Sequence, residues 1–428
     1  MSWKTSLTDR SKPILPDLDL IATQTGMVVR KSPKFTPAAF LLTLMSAVVT
    51  GKGSFNQLVT CLKDRVNKSM ARQSLHERIG IATTSFMMGV ICDLMHQRFK
   101  ASAVALGESP ILRVIIEDAS SQVMPKGNAE TFPAHGNHHG ATAGVKIDLA
   151  YDLLSDEVIS HSLHLATEQD KTIGKELIVE IRQGDLVLRD MGYFSLSEFT
   201  VIEACGAWWL TRLPLTTGVT LETGKALETK LRSKRKSILD LNVIVGAQGK
   251  RCRLVAMRAE AEVTSARRAK RMADARKAGK QPCQIGLQRD AWHLMLTNLD
   301  EDQASVSQLA AIYRARWAVE IQFRAWKQSL NLTKALNRVS NEHHIQALVI
   351  AAMIVHQLGM KFAKAVGIRV GRAKLSYEKL YHALSTYLLG VSDIAGLECF
   401  DQWLDVRHIR RDSRRRKSPI ESGVQALP

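Results

Sequence analysis

Tyr313, Arg316, Glu320 and Lys327 stand at offsets 0, 3, 7 and 14 in a stretch with helical rhythm from about Ser305. At about 100° per residue, the four fall within roughly 60° of one another on one helix face. A second stripe, Ile312, Val319, Phe323, Trp326 and Leu330, is centred roughly 80° to one side and reads as the packing face. Glu320 is therefore expected at the edge of a core, where a carboxylate needs a counter-charge from a metal ion or from Arg316 and Lys327. The competing reading is a solvated face in which Glu320 pairs with Arg316 or Arg324, each four residues away. Two aspartates weaken that alternative. Asp118 ends the run Val114-Ile115-Ile116-Glu117, and Asp190 ends Leu186-Val187-Leu188-Arg189 just before Gly192-Tyr193. Strand ends in α/β sheets are where loops assemble a site on a rigid scaffold. Two strand-borne Asp and one helix-borne Glu meet the need of two-metal phosphodiester chemistry, in which carboxylates hold ions about 3.5–4 Å apart around one phosphate. Mg²⁺ prefers oxygen ligands and keeps several waters, so three carboxylates suffice for two ions, and Mn²⁺ is expected to substitute. Arg316 and Lys327 would then contact the backbone beside the scissile phosphate.

The elements that must carry these residues follow from patterning. Short apolar runs bounded by turn residues, at Arg113–Glu117, Gly144–Leu149, Val158–Leu165, Asp185–Leu188 and Trp208–Arg212, read as strands. Helical stretches at about Lys171–Arg182 and Ser197–Cys205 lie among them, which predicts an α/β core with a central, mixed sheet. After Pro214 come alternating strands around Asn242–Gly246 and Cys252–Met257, then a basic stretch Glu260–Lys280 expected to be an exposed helix or arm. A last strand, Trp292–Thr297, leads into the signature helix. Residues 37–100 and those beyond Leu330 read as helical. Within Ser54–Ile79, two short helical patterns have the rhythm of a helix-turn-helix or of an ordinary bundle; in the former, Arg72, Gln73, His76, Glu77 and Arg78 would face DNA. The expected division is 1–105 helical and DNA-binding, 106–214 first part of the core, 215–300 a mostly β insertion, 301–335 the catalytic helix, and 336–428 helical with a basic tail at Arg407–Lys417.

The string Tyr-Arg-Ala-Arg-Trp-Ala-Val-Glu and the Tyr313, Arg316, Glu320, Lys327 spacing resemble the signature of the insertion-sequence-four family of DDE transposases. The resemblance covers about Leu112–Leu330. It implies an RNase H-like fold, with the third carboxylate on a helix after a mostly β insertion. It also implies an enzyme that cuts DNA at the ends of an insertion sequence and transfers the strands to target DNA. Asp190-Met191-Gly192-Tyr193 is similar to the family's Asp-Arg-Gly-Tyr, with Met191 where Arg is common, so Arg189 is the candidate to supply that phosphate contact. Trp292 resembles the family tryptophan that stacks on a base flipped out of the DNA end, which implies a hairpin intermediate. A core tryptophan on a strand is the alternative reading.

The 428-residue chain carries 59 Lys+Arg against 41 Asp+Glu, a net charge of +18 that attracts a polyanion. Expected partners are double-stranded DNA, both terminal inverted repeats and target, and a second copy of the chain in the synaptic complex. The apolar stretches Ala38–Val49 and Ile345–Met360 fall short of a clean membrane span, and the N-terminus has no secretory signal pattern. Six scattered cysteines form no C-x-x-C pair. A cytoplasmic, nucleoid-associated protein is expected. His135, His138 and His139 read as a polar loop rather than a zinc site. Competing functions are a DNA-binding regulator of the same fold that no longer cuts, and a metal-dependent nuclease that does not rejoin.

Overall fold

The structure is a computed structural model describing residues 14–99, 110–137, 140–155, 157–232, 236–316, 320, 323, 330–337, 339–370, 375–405 and 407–410. Helices α1 (Leu18–Gln24), α2 (Pro37–Thr50), α3 (Phe55–Val66), α4 (Arg72–Arg78) and α5 (Ile81–Phe99) precede strands β1 (Arg113–Met124), β2 (Pro133–Asn137), β3 (Gly140–Asp152) and β4 (Glu157–Leu165). Then come α6 (Asp170–Ile173), β5 (Asp185–Arg189), α7 (Leu196–Ala204), β6 (Trp208–Arg212), β7 (Val219–Leu221) and α8 (Glu228–Leu231). They are followed by β8 (Ile238–Val245), β9 (Lys250–Arg258), α9 (Ala261–Lys277), α10 (Gln284–Arg289), β10 (Trp292–Thr297) and α11 (Val306–Ala315). Helices α12 (Leu332–Ala335), α13 (Glu342–Val370) and α14 (Tyr377–Gly390) lie near the end. Two compact units result: one from Met1–Val104, Ala119–Glu168 and Trp317–Ser418, the other from Ala105–Asp118, Gln169–Arg316 and Pro419–Pro428.

The first unit is built around two helices that are apolar on nearly every side. Pro37 opens α2, Thr36 caps it by accepting from the Ala39 N–H, and Gly51 closes it at φ +74°. Its side chains from Ala39 to Val49 are all buried. α13 is long and apolar enough to cross a membrane, but 89% of its most apolar window is buried inside the protein, as in a core helix. α3 and α4 form two helices joined at Asn67 (φ +51°). Leu58, Leu62 and Leu75 point inward, and Arg72, Gln73, His76, Glu77 and Arg78 are exposed. β3 and β4 make an antiparallel hairpin from Val145 opposite Leu165 to Asp152 opposite Glu157. Its turn is held by Asp152, which accepts from the N–H groups of Leu154 and Ser155.

In the second unit, β1, β5 and β6 run parallel, and β6, β10, β9, β8 and β7 continue as antiparallel neighbours. Every residue of β5 is buried, as a parallel strand covered on both faces requires. α7 covers β6: the Phe199 and Trp209 rings stack at 4.2 Å, and Trp209 donates its Nε1–H to Glu203 at 2.8 Å. The protein therefore has the α/β class expected, a central mixed sheet with helical regions at both ends.

Three elements differ from the patterning. β1 continues past Asp118 to Met124. The stretch expected to be helical at Lys171–Arg182 divides into α6 and a 3-10 turn at Glu176–Glu180. The division falls at Gly174, where a Cβ would lie 2.9 Å from the Tyr193 ring and 3.3 Å from the Arg189 guanidinium. The signature helix is described as α11, with Arg316 as its C-cap, and as helical backbone at Glu320 and Phe323. Lys327 and the residues beyond Arg410 in the basic tail lie outside the described residues.

Candidate active site

Strand register brings Asp118 and Asp190 side by side. Glu117 of β1 lies opposite Arg189 of β5, and Arg189 lies opposite Thr211 of β6. Asp118 on β1, Asp190 immediately after the end of β5 and Arg212 at the end of β6 each follow one of these residues and continue the register by one row, on strands about 4.8 Å apart. Side chains alternate between faces, so the two rows point opposite ways. Glu117, Arg189 and Thr211 are 0%, 1% and 0% exposed, whereas Asp118, Asp190 and Arg212 are half-buried.

The buried row is an ion-pair clamp. Arg189 Nε lies 2.5 Å from Glu117 Oε2, its Nη1 2.6 Å from Glu198 Oε2, and its Nη2 donates to the Gly174 carbonyl at 2.5 Å. Burial opposes charge on the guanidinium, yet Glu117 and Glu198 outweigh it and hold the group firmly protonated. Arg189, expected at a phosphate, is thus committed inside the core.

In the upper row, Arg316 Nη1 approaches Asp118 Oδ2 at 3.4 Å, and its guanidinium lies 6.0 Å from the Tyr313 ring centre. The Tyr313 hydroxyl is buried without a well-formed hydrogen bond among the described residues. Burial raises its pKa; Arg316 opposes the rise, nearby Asp190 adds to it, and Arg212 opposes it. The phenol stays neutral and keeps a proton to donate. Arg212, passed over in the sequence, ends β6 and acts electrostatically on Tyr313. Its signal was the same as that of the aspartates, a charge closing a short apolar strand.

Glu320 is half-buried on helical backbone, with Phe323 buried three residues on. Trp292 is 2% exposed: its Nε1–H donates to the Leu231 carbonyl at 3.2 Å, and Arg258 of β9 covers its ring at 4.4 Å. His135 is exposed on β2, and His138 and His139 lie outside the described residues. Among the described residues, no three His, Cys, Asp or Glu side chains are grouped closely enough to hold a metal ion. Asp118 and Asp190 nonetheless fit one by chemistry. They are hard oxygen donors in adjacent register, and their mutual repulsion favours a cation beside them.

Residues 109–355 match the profile of the family described as Transposase DDE domain. The chain is 24% identical over 372 residues to the transposase for insertion sequence element IS231B of Bacillus thuringiensis subsp. berliner, covering 81% of this chain and 78% of that protein. It is 24% identical over 362 residues to the transposase for element IS231D of Bacillus thuringiensis subsp. finitimus, covering 79% and 76%. The transposase for element IS1151 of Clostridium perfringens is 20% identical over 346 residues, covering 75% and 73%. Among solved structures, the piggyBac transposase synaptic complex with hairpin DNA aligns at a TM-score of 0.45 and 12% identity, over 96% of this chain and 82% of that one.

Proposed function

The chain belongs to the transposase DDE domain family, in its insertion-sequence-four group, and on that premise we propose that it performs cut-and-paste transposition of a bacterial insertion sequence. It cleaves DNA at the element's ends and joins the freed strands to target DNA. The observation that carries the reading is that Asp118 and Asp190 each follow directly on the paired, buried Glu117 and Arg189 of adjacent parallel strands.

In this reading Asp118, Asp190 and Glu320 hold two Mg²⁺ ions. When bound, the ions would activate a water or the DNA's own 3′-hydroxyl as nucleophile and offset charge on the leaving 3′-oxygen. Arg316 offsets carboxylate charge at Asp118 and contacts the flanking backbone together with Lys327. The neutral Tyr313 hydroxyl donates to a phosphate oxygen. Arg189 keeps the two aspartates in register through Glu117. Trp292 would serve a flipped base only if its ring left its cover beneath Arg258, so a hairpin step through it entails a local opening.

The partners are terminal inverted repeats, target DNA and a second copy of the chain in the synaptic complex. The N-terminal region 1–105 takes part in DNA binding, with α4 as its reading helix. The site of action is the nucleoid, in the cytoplasm. The test is incubation of the purified chain with a duplex carrying the DNA that flanks its gene, with Mg²⁺. Nicks at the repeat ends, hairpin-ended fragments and strands joined to a target plasmid are expected. Cutting without joined products would make it a nuclease, and binding without cutting a regulator. Trp292→Ala should slow hairpin formation more than first nicking; equal slowing would leave Trp292 as a core residue alone.

A further inference from the structure

Helix α9 is 17 residues long and has no buried residue. A helix with so little apolar cover needs other interactions to stay formed and docked. Its inner edge, Val263, Thr264, Arg267, Arg271 and Ala275, is half-buried at helical spacing. The ties along it are polar. Arg271 grips Asp290 in a two-pronged ion pair at 2.7 Å on each prong. Arg267 donates to the carbonyls of Asp290 and Trp292 at 3.3 and 3.2 Å, and lies 3.2 Å from His293 Nδ1. The helix is therefore bolted to the start of β10 by two of its own arginines.

The outer side is a different surface. Lys270, Arg276, Lys277 and Lys280 are exposed there, and their side chains enter no ion pair or hydrogen bond among the described residues. Between Ala261 and Lys280 there are seven basic residues, Arg267, Arg268, Lys270, Arg271, Arg276, Lys277 and Lys280, against Glu262 and Asp274. Small exposed alanines at 266, 269 and 273 keep the backbone of that side accessible. A row of Lys and Arg with little acidic cover is the chemistry that neutralises phosphates, the sequence-independent part of DNA binding.

Along the inner edge of the helix, the cationic Arg267 and Arg212 influence each other and His293. Burial lowers the Arg267 pKa and neighbouring Arg212 lowers it further, while burial, Arg267 and Arg212 together depress His293. Arg212 is also the third member of the row that holds Asp118 and Asp190. A line of cationic groups thus leads, within the second unit, from the aspartate row through Arg212 and Arg267 to the outer side of α9, with a neutral His293 beside it. An anion beside that line would relieve its repulsion.

We propose that α9 is a rail for the phosphate backbone of duplex DNA, which continues along Lys270, Arg276, Lys277 and Lys280 after passing Arg212 and Arg267. The occupant rests on the reading of the chain as a DNA-cutting transposase. Duplex DNA carries one charge per ~1.7 Å of axis, so a helix of about 26 Å spans a dense row of phosphates. The contact is independent of sequence, which allows it to be measured with a short duplex of arbitrary sequence.

The test compares the wild-type chain with a variant carrying Lys270→Ser, Arg276→Ser, Lys277→Ser and Lys280→Ser. A control exchanges the same Lys for Arg and Arg for Lys. Affinity for the arbitrary duplex is measured over a series of salt concentrations, and cleavage of end-bearing DNA is measured alongside. The slope of log affinity against log salt should become shallower by about 0.9 for each of these cations that touches a phosphate. Affinity at low salt should fall at least about tenfold, the control should keep the wild-type slope, and the thermal midpoint should not move. A wild type that binds and cuts, with a serine variant that matches its slope, would overturn the rail and leave the transposase reading intact. The same holds if the variant retains DNA affinity and loses capture of an acidic protein surface instead. A wild type that binds no duplex would overturn both.

Discussion

Two carboxylates set side by side on neighbouring strands need their backbones fixed, and the fixing is done one residue earlier by Glu117 and Arg189. Removing the cation from such a buried group leaves uncompensated charge. Arg189→Met should therefore cost about 3–5 kcal/mol, read from urea unfolding, and Glu117→Gln in the same chain should recover part of the loss. An Arg189→Met chain as stable as wild type would show that the clamp holds nothing. A second residue-scale outcome concerns His344, which is 0% exposed against the Phe55 ring, with its pKa lowered to about 4, chiefly by burial. The folded pKa lies below the unfolded value, so the stability from keeping this imidazole neutral is present above about pH 6.5 and is lost as pH falls toward 4. At pH 5 the loss should be about 2 kcal/mol, and His344→Phe should flatten that part of the stability profile. An unchanged profile would contradict it. At this scale the run ending in Glu117 already marked Asp118 as a strand-end carboxylate, because a short apolar strand is a local pattern. The sequence did not reveal that Arg189 is buried, because the partner that buries it lies on a strand far away in the chain.

Elements were legible where a run had one reading. β6 spans Trp208–Arg212 and β10 spans Trp292–Thr297, both as the apolar runs indicated. β5 extends one residue further than its run, through Arg189. β1 extends into a polar segment, since strand pairing overrides the side-chain pattern there. The helix expected after Lys171 is divided at a glycine held close to Tyr193 and Arg189, a contact that no local pattern records. Glycine in a helix offers a test with opposing terms. Ala in place of Gly359 would gain roughly 1 kcal/mol of helix propensity, but its Cβ would lie 2.4 Å from the Tyr381 ring on α14. That ring is 0% exposed and tied through its hydroxyl to the His356 carbonyl at 3.0 Å, so it cannot swing aside. Overpacking of this kind costs about 1–3 kcal/mol, so Gly359→Ala should lower the urea midpoint. A raised midpoint would mean that α13 and α14 have room between them.

For the molecule as a whole, charge and motif pointed to the same partner: +18 overall, and a Tyr-Arg-Glu-Lys spacing within the family match at 109–355. The division into two compact units was not legible. It cuts β1 after Asp118 and the signature segment after Arg316, inside stretches that local periodicity treats as continuous. We propose that Asp118, Asp190 and Glu320 act together on DNA with divalent metal. The most direct test of this claim is Mg²⁺-dependent cleavage of an end-bearing duplex by Asp118→Asn, Asp190→Asn and Glu320→Gln, with duplex binding followed in parallel. Each variant should lose cutting to background while binding the duplex as wild type does; cutting retained by any one of them would contradict the claim for that residue.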